Sequence, residues 1–166
     1  MSDAAATPFA PAAARAPRAL YTAEQRARRD ATRWTLVQGI LAPVQFAVFG
    51  VSLVLVMRFL ATGEGYVAAN LSILLKTALL YTIMVTGAIW EKKVFGRYLF
   101  APAFFWEDVV SFVVIALHTA YLWALFTGAM APHALMAVAL AAYALYVANA
   151  AQFLLKLRRG RLEGGS

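Results

Sequence analysis

From residue 90 to residue 108 the chain reads WEKKVFGRYLFAPAFFWED, flanked on both sides by long apolar runs. Three basic residues (Lys92, Lys93, Arg97) and three carboxylates (Glu91, Glu107, Asp108) are interleaved with Trp90, Phe95, Tyr98, Phe100, Phe104, Phe105 and Trp106. A plain connecting loop is built from Gly, Ser and Asn and does not carry so many aromatics. The stretch therefore lies at an interface, docks a large flat ligand, or does both.

Working outward, the flanking runs set the class. Of 166 residues, 63% are hydrophobic, 14% are charged and none is cysteine. So few charges cannot cover a soluble surface, which points to a membrane protein. Without cysteine there are no disulfides and no thiolate metal sites. The net charge of +7 sits between or outside the apolar runs. That is the pattern of topology signals and not of a nucleic-acid-binding face.

The expected fold is all-α, a polytopic membrane bundle of four transmembrane helices. The spans run from about 34 to 60, 67 to 90, 104 to 126 and 134 to 157. Each is long enough, at ~1.5 Å per residue, for a hydrocarbon core of ~30 Å. Residues 1–19, rich in Ala and Pro, read as a disordered tail. Residues 20–161 form one domain, and 162–166 form a flexible end. Thr22 with Gln25 fits a capping box that opens a basic surface helix before the first span. Pro43 removes a ladder bond inside that span and predicts a kink. Turns are expected at TGEGY (62–66) and around Gly128, Pro132 and His133. Basic residues precede the first span, fill the central stretch and close the chain. The positive-inside rule then places both termini, and the central stretch, in the cytoplasm.

Polar residues inside the spans carry the next signal, because a charge at mid-membrane costs ~2.5–3.5 kcal/mol even on lenient scales. Lys76 and His118 fall at similar depth in the second and third spans. Glu107, Ser111, Val114 and His118 follow helical spacing along one face. Tyr146, Asn149, Gln152 and Lys156 form a second stripe, and Gln38, Gln45 and Ser52 recur every seven residues in the first span. Together they describe a polar interior open at the cytoplasmic end, with Glu91, Glu107 and Asp108 at its mouth. Ordinary structural roles compete with functional ones. Gln45, Ser52, Asn149 and Gln152 suit interhelical hydrogen bonds. Glu107 and Asp108 suit a helix N-terminus, where the dipole favours carboxylates. Lys92, Lys93 and Arg97 are topology determinants first. There is no Gly-rich phosphate loop, HExxH or GxSxG motif. Residue chemistry alone does not name a reaction.

Four stretches carry a resemblance: RRDATRWTLVQGILAPVQF (28–46), KTALLYTIMVTGAIWEKKVFGRYLFAPAFFWED (76–108), ALHTAYL (116–122) and QFLLKLR (152–158). Over roughly residues 20–161 the chain resembles the 3-vinyl (also called 2-vinyl) bacteriochlorophyllide hydratase family of bacteriochlorophyll biosynthesis. The resemblance implies a hydro-lyase that adds water across the C3-vinyl group of chlorophyllide a or its bacteriochlorin counterpart, giving the 1-hydroxyethyl product. It assigns no catalytic residue.

Set against that chemistry, the residues offer a site. Vinyl hydration needs a proton on the terminal carbon and water at the inner carbon, and requires no redox cofactor and no metal of the protein's own. Glu107 is the first choice of acid, with Glu91 and Asp108 as competitors. Two neighbouring carboxyls would divide into one acid and one base. Phe104, Phe105 and Trp106 would pack on the chlorin face. Lys92, Lys93 or Arg97 would pair with the propionate. His118 would reach the substrate magnesium, and Lys76 a carboxylate or carbonyl. Partners are then a Mg-chlorin, membrane lipid and neighbouring pigment-biosynthesis enzymes. A non-catalytic tetrapyrrole carrier or assembly subunit, and a small transport subunit, remain as alternatives.

Overall fold

The computed structural model describes residues 19–162, with side chains placed through residue 160. The expected tail therefore lies, apart from residue 19, outside the described residues, as does the end from 163 onward. Five helices follow in order: α1 (Ala23–Ala31), α2 (Arg33–Thr62), α3 (Tyr66–Phe95), α4 (Phe105–Thr127) and α5 (Pro132–Leu162). Four of them, α2 to α5, are long and apolar enough to cross a membrane. Their ends lie within a few residues of the expected spans; α3 continues through the basic turn to Phe95, and α5 runs on to Leu162.

α1 is the expected capping-box helix. The Thr22 hydroxyl accepts from Gln25 N at 3.2 Å, and the Gln25 side chain accepts from Thr22 N at 3.0 Å. Thr32 then caps α2 through the Trp34 amide, so the surface helix and the first long helix are separate elements. α2 runs through Pro43 without interruption. Neighbouring helices and local adjustment tolerate a proline in such a setting. Gly96 ends α3 in the left-handed region at φ 84°, its N–H bonding Lys92 O. A side chain there would be strained.

α2 lies along α3 and α4 along α5, and the two hairpins meet through α2–α5 and α3–α4 contacts. The interior is apolar toward the Thr62 and Thr127 ends, where Val56, Phe59, Ile73, Leu135 and Met136 are buried. Lipid supplies no hydrophobic drive between helices, so packing and polar cross-links hold such a bundle. Those links are present. Ser52 bonds Ser72 at 2.7 Å and Tyr143 at 2.5 Å, Gln38 donates to Thr86 at 2.8 Å, and Asn149 donates to Ser111 at 2.7 Å. The Tyr121 hydroxyl donates to Asn70. Gln152 departs from its expected place. It is exposed, while Phe153 turns inward, because a spacing of four from Asn149 tracks the inner face better here than a spacing of three.

Candidate functional site

The start of α2, the end of α3, the start of α4 and the end of α5 share one end of the bundle with α1. Nearly all the basic residues gather there. The opposite end holds Arg58, paired with Glu64 at 3.7 Å. At the basic end, Tyr21, Phe95, Phe104, Trp90 and Phe153 form one aromatic cluster. Tyr21 stacks on Phe95 at 5.8 Å, and Phe104 stacks on Phe153 at 5.8 Å. Burial pushes the Tyr21 phenol above its ordinary value, against the pull of Arg29 over its ring. This cluster corrects the expectation of an open mouth: the polar interior is plugged at its basic end, and all three carboxylates are buried.

The carboxylates occupy two different settings. Glu107, in the first turn of α4, pairs with Lys156 of α5 at 2.5 Å. The same ammonium donates to Ala103 O at 2.5 Å and sits 5.3 Å from the Phe104 ring. Glu107 thus meets a cation across the helix pair. Glu91, near the end of α3, and Asp108, on α4, are direct neighbours, and neither makes an ion pair among the described residues. Each accepts one backbone hydrogen bond from the connecting loop. Ala101 N donates to Glu91 Oε2 at 3.1 Å, and Phe100 N donates to Asp108 Oδ2 at 2.7 Å.

Phe100 is the odd residue of that loop. Its φ of 57° is the one positive value outside glycine among the described residues. A bulky side chain avoids that region, at a cost of ~1–3 kcal/mol that surrounding contacts must cover. The bond to Asp108 is one such contact. The Phe100 ring is another: it stacks on Phe112 at 5.6 Å and 15° and meets Phe105 at 5.6 Å. Phe105 in turn meets Trp106 at 5.4 Å. Phe100, Phe105, Trp106 and Phe112 are exposed and form an aromatic platform on the outer side of α4. The run of three aromatics therefore divides. Phe104 is buried in the plug, while Phe105 and Trp106 face outward, since successive helical residues diverge by about 100°.

Lys76 and His118 meet as their matched depth predicts, Lys76 Nζ lying 2.9 Å from His118 Nε2. His118 Nδ1 lies 2.8 Å from Val114 O. A carbonyl only accepts, so Nδ1 carries the proton and Nε2 accepts from lysine. The ammonium also lies 4.0 Å from the Tyr146 ring and 5.1 Å from that of Tyr143, a cation–π setting. Both side chains are fully enclosed. A magnesium ligand role for His118 would need Nε2 freed from Lys76. Lys92, Lys93 and Arg97 are exposed at the end of α3 and in the loop. Lys92 donates to Gly96 O at 2.9 Å, and Arg97 donates to Phe100 O at 3.3 Å.

With this geometry in place, similarity to known proteins can be set beside it. The family model described as 2-vinyl bacteriochlorophyllide hydratase matches residues 21–159. The chain belongs to that family. A 2-vinyl bacteriochlorophyllide hydratase from Cereibacter sphaeroides is 75% identical over 157 residues, covering 94% of this chain and 96% of the relative. Another from Rhodobacter capsulatus is 75% identical over 149 residues, 90% of this chain and 86% of the relative. No solved structure matches. The residues matched by the family model include the carboxyl pair, the platform and the plug, so the whole site lies inside the matched region. Three of its parts could not be read from sequence. The turn at Phe100 has no residue signal, since glycine is the usual marker of positive φ. Phe112 reads as one more apolar residue of a span, and Tyr21 as a residue just before the Thr22 capping box.

Proposed function

We propose that this protein hydrates the vinyl substituent of a bacteriochlorophyllide, as its relatives' names state for them. The observation that carries the reading is 75% identity across nearly the full length of both chains. The relatives' names describe a hydratase and neither a carrier nor a transporter. The enzyme is a hydro-lyase of bacteriochlorophyll biosynthesis, acting on a membrane-associated pigment.

For the chemistry, the Glu91–Asp108 pair is the acid–base unit in our reading. Two buried carboxyls in contact, neither of them ion-paired among the described residues, hold one proton between them. Each keeps one oxygen clear of its loop hydrogen bond. The protonated member gives its proton to the terminal vinyl carbon, and positive charge spreads from the inner carbon into the macrocycle. Water bonds to that carbon and sheds a proton to the ionised member. The pair returns to its singly protonated state with the net addition of one water. Glu107, with its ammonium partner, takes the role of anchoring α4 to α5.

The macrocycle in this reading lies on Phe100, Phe105 and Phe112, with its vinyl group directed over Phe100 toward the pair. The loop from Gly96 to Phe104 must yield for that contact, and the strained Phe100 makes it the favoured place. The basic end faces the cytoplasm by the positive-inside rule, so both termini lie there, in the inner or intracytoplasmic membrane. Lys92, Lys93 and Arg97 are then placed to meet the substrate propionate. Replacing all three by Gln is expected to weaken pigment binding about tenfold, because exposed ion pairs contribute ~1 kcal/mol or less each. Unchanged affinity in a pigment titration would remove them from the propionate role.

The direct test incubates membranes containing the protein with a 3-vinyl bacteriochlorophyllide. Hydration takes the vinyl group out of conjugation, so the red band moves to shorter wavelength and a product one water heavier appears. Pigment recovered unchanged would overturn the hydratase reading.

A further inference from the structure

Beside the carboxyl pair, the interior contains polar groups that the bundle itself leaves unsatisfied. Asn149 is 8% exposed, and its Nδ2 donates to Ser111, yet its Oδ1 is buried with no hydrogen-bond partner among the described residues. Gln45 is 3% exposed, and its side-chain amide bonds no described residue. Tyr146 is 9% exposed, and its hydroxyl bonds no described residue. α2 and α5 run antiparallel, with Phe49 meeting Tyr143 at 5.2 Å and Tyr146 at 5.1 Å. One turn from Phe49 toward the basic end stands Gln45, and one turn from Tyr146 in the same direction stands Asn149. The unsatisfied groups therefore share one level of the bundle. A buried polar group without a partner costs ~1–3 kcal/mol. One such atom, the Asn149 oxygen, beside polar side chains with bonds to spare is the setting in which proteins hold an internal water, which takes two to four hydrogen bonds.

We propose that Gln45, Ser111, Tyr146 and Asn149 form an internal water site that supplies the oxygen added to the vinyl group. This rests on the hydratase reading and deepens it. The geometry is given by α4 at about 100° per residue. Phe105 and Phe112 of the platform project to one side, Ser111 and Glu107 project inward, and Asp108 lies between them. A macrocycle on the platform and a water at Ser111 thus approach Asp108 from opposite sides. The plug of Tyr21, Trp90, Phe95, Phe104 and Phe153 covers the interior from the basic end. Water held inside attacks one face of the cationic inner carbon, and the product is a single epimer at the new alcohol. The proton given to the terminal carbon is replaced by the one the added water sheds. Gln45 and Asn149 are positioning residues, acting through the water they hold.

The test measures turnover, KM and the epimer ratio of the 1-hydroxyethyl product for the full-length protein and for Asn149→Leu and Gln45→Leu. Apolar replacements suit a membrane bundle, and helical circular dichroism shows which variant is folded. If one fails to fold, the other carries the test. The expected result is kcat lower by about a hundredfold, the scale of a mispositioned reactant, with KM unchanged. The remaining product changes from one epimer to a mixture, because water then arrives from the platform side. A purely structural role would lower the yield at a constant ratio. A constant ratio, parental turnover in both variants, or an epimer mixture from the parent would each overturn the inference. A parent that makes no alcohol at all would instead overturn the hydratase reading.

Discussion

Glu91→Gln is expected to abolish vinyl hydration while pigment binding persists, and Asp108→Asn is expected to do the same. The loss should be about a hundred- to ten-thousandfold in turnover, the usual range for a general acid or base. Both replacements keep shape and keep an oxygen that accepts from the loop amides of Ala101 and Phe100. The loop geometry is therefore retained, and the change falls on proton transfer. Turnover is read from the shift of the red band, and binding from quenching of tryptophan fluorescence by the pigment. A second signature comes from pH. A pair that must hold one proton gives a bell-shaped profile whose two limbs belong to the pair and not to either residue alone. In either variant one limb should vanish from the residual activity. Full turnover in Glu91→Gln or in Asp108→Asn would remove that residue from the mechanism. The same measurement on Glu107→Gln separates the two settings of carboxylate, since its loss should follow the folded fraction and leave both limbs of the profile.

How far these residues could be foreseen depends on the physics involved. The four long helices were legible because insertion into lipid is decided by local composition over some twenty residues, which a sequence displays directly. The inward face of α4 was legible for a similar reason: Glu107, Ser111, Val114 and His118 are all buried, as their helical spacing requires. The matched depth of Lys76 and His118 followed from counting along two adjacent helices. What failed needed information from three dimensions. A one-residue difference turned Phe104 into the plug and Phe105 out to the platform, which a run of aromatics does not distinguish. Gln152 and Phe153 exchanged places for the same reason. Lys156 stood on a recognised stripe, but its pairing with Glu107 depends on the register of α4 against α5. That pairing shifts the acid role in our reading toward Glu91 and Asp108, which lie seventeen residues apart in sequence and touch because Gly96 and Phe100 turn the chain sharply between them.

Lys156→Met is expected to destabilise the folded bundle, and adding Glu107→Gln is expected to restore most of the loss. Lys156 alone faces the buried Glu107 carboxylate, at 2.5 Å, with side-chain exposures of 27% and 6%. Removing one partner of a fully buried pair costs ~3–5 kcal/mol, because the remaining charge is left without compensation. Lys156 keeps some access to solvent, which screens the pair, so the single replacement should cost about 2–3 kcal/mol. The double replacement has no stranded charge, and an apolar or neutral pair is often no less stable than a buried ion pair. The remaining deficit is the lost bond to Ala103 O, about 1 kcal/mol. Thermal unfolding in detergent, followed by helical circular dichroism, checks both steps. A single variant as stable as the parent would mean that the pair does not hold α4 to α5. A double variant no better than the single one would mean that Lys156 acts through its contacts with Ala103 and Phe104, and Glu107 would then return as a free carboxyl able to compete for the acid role.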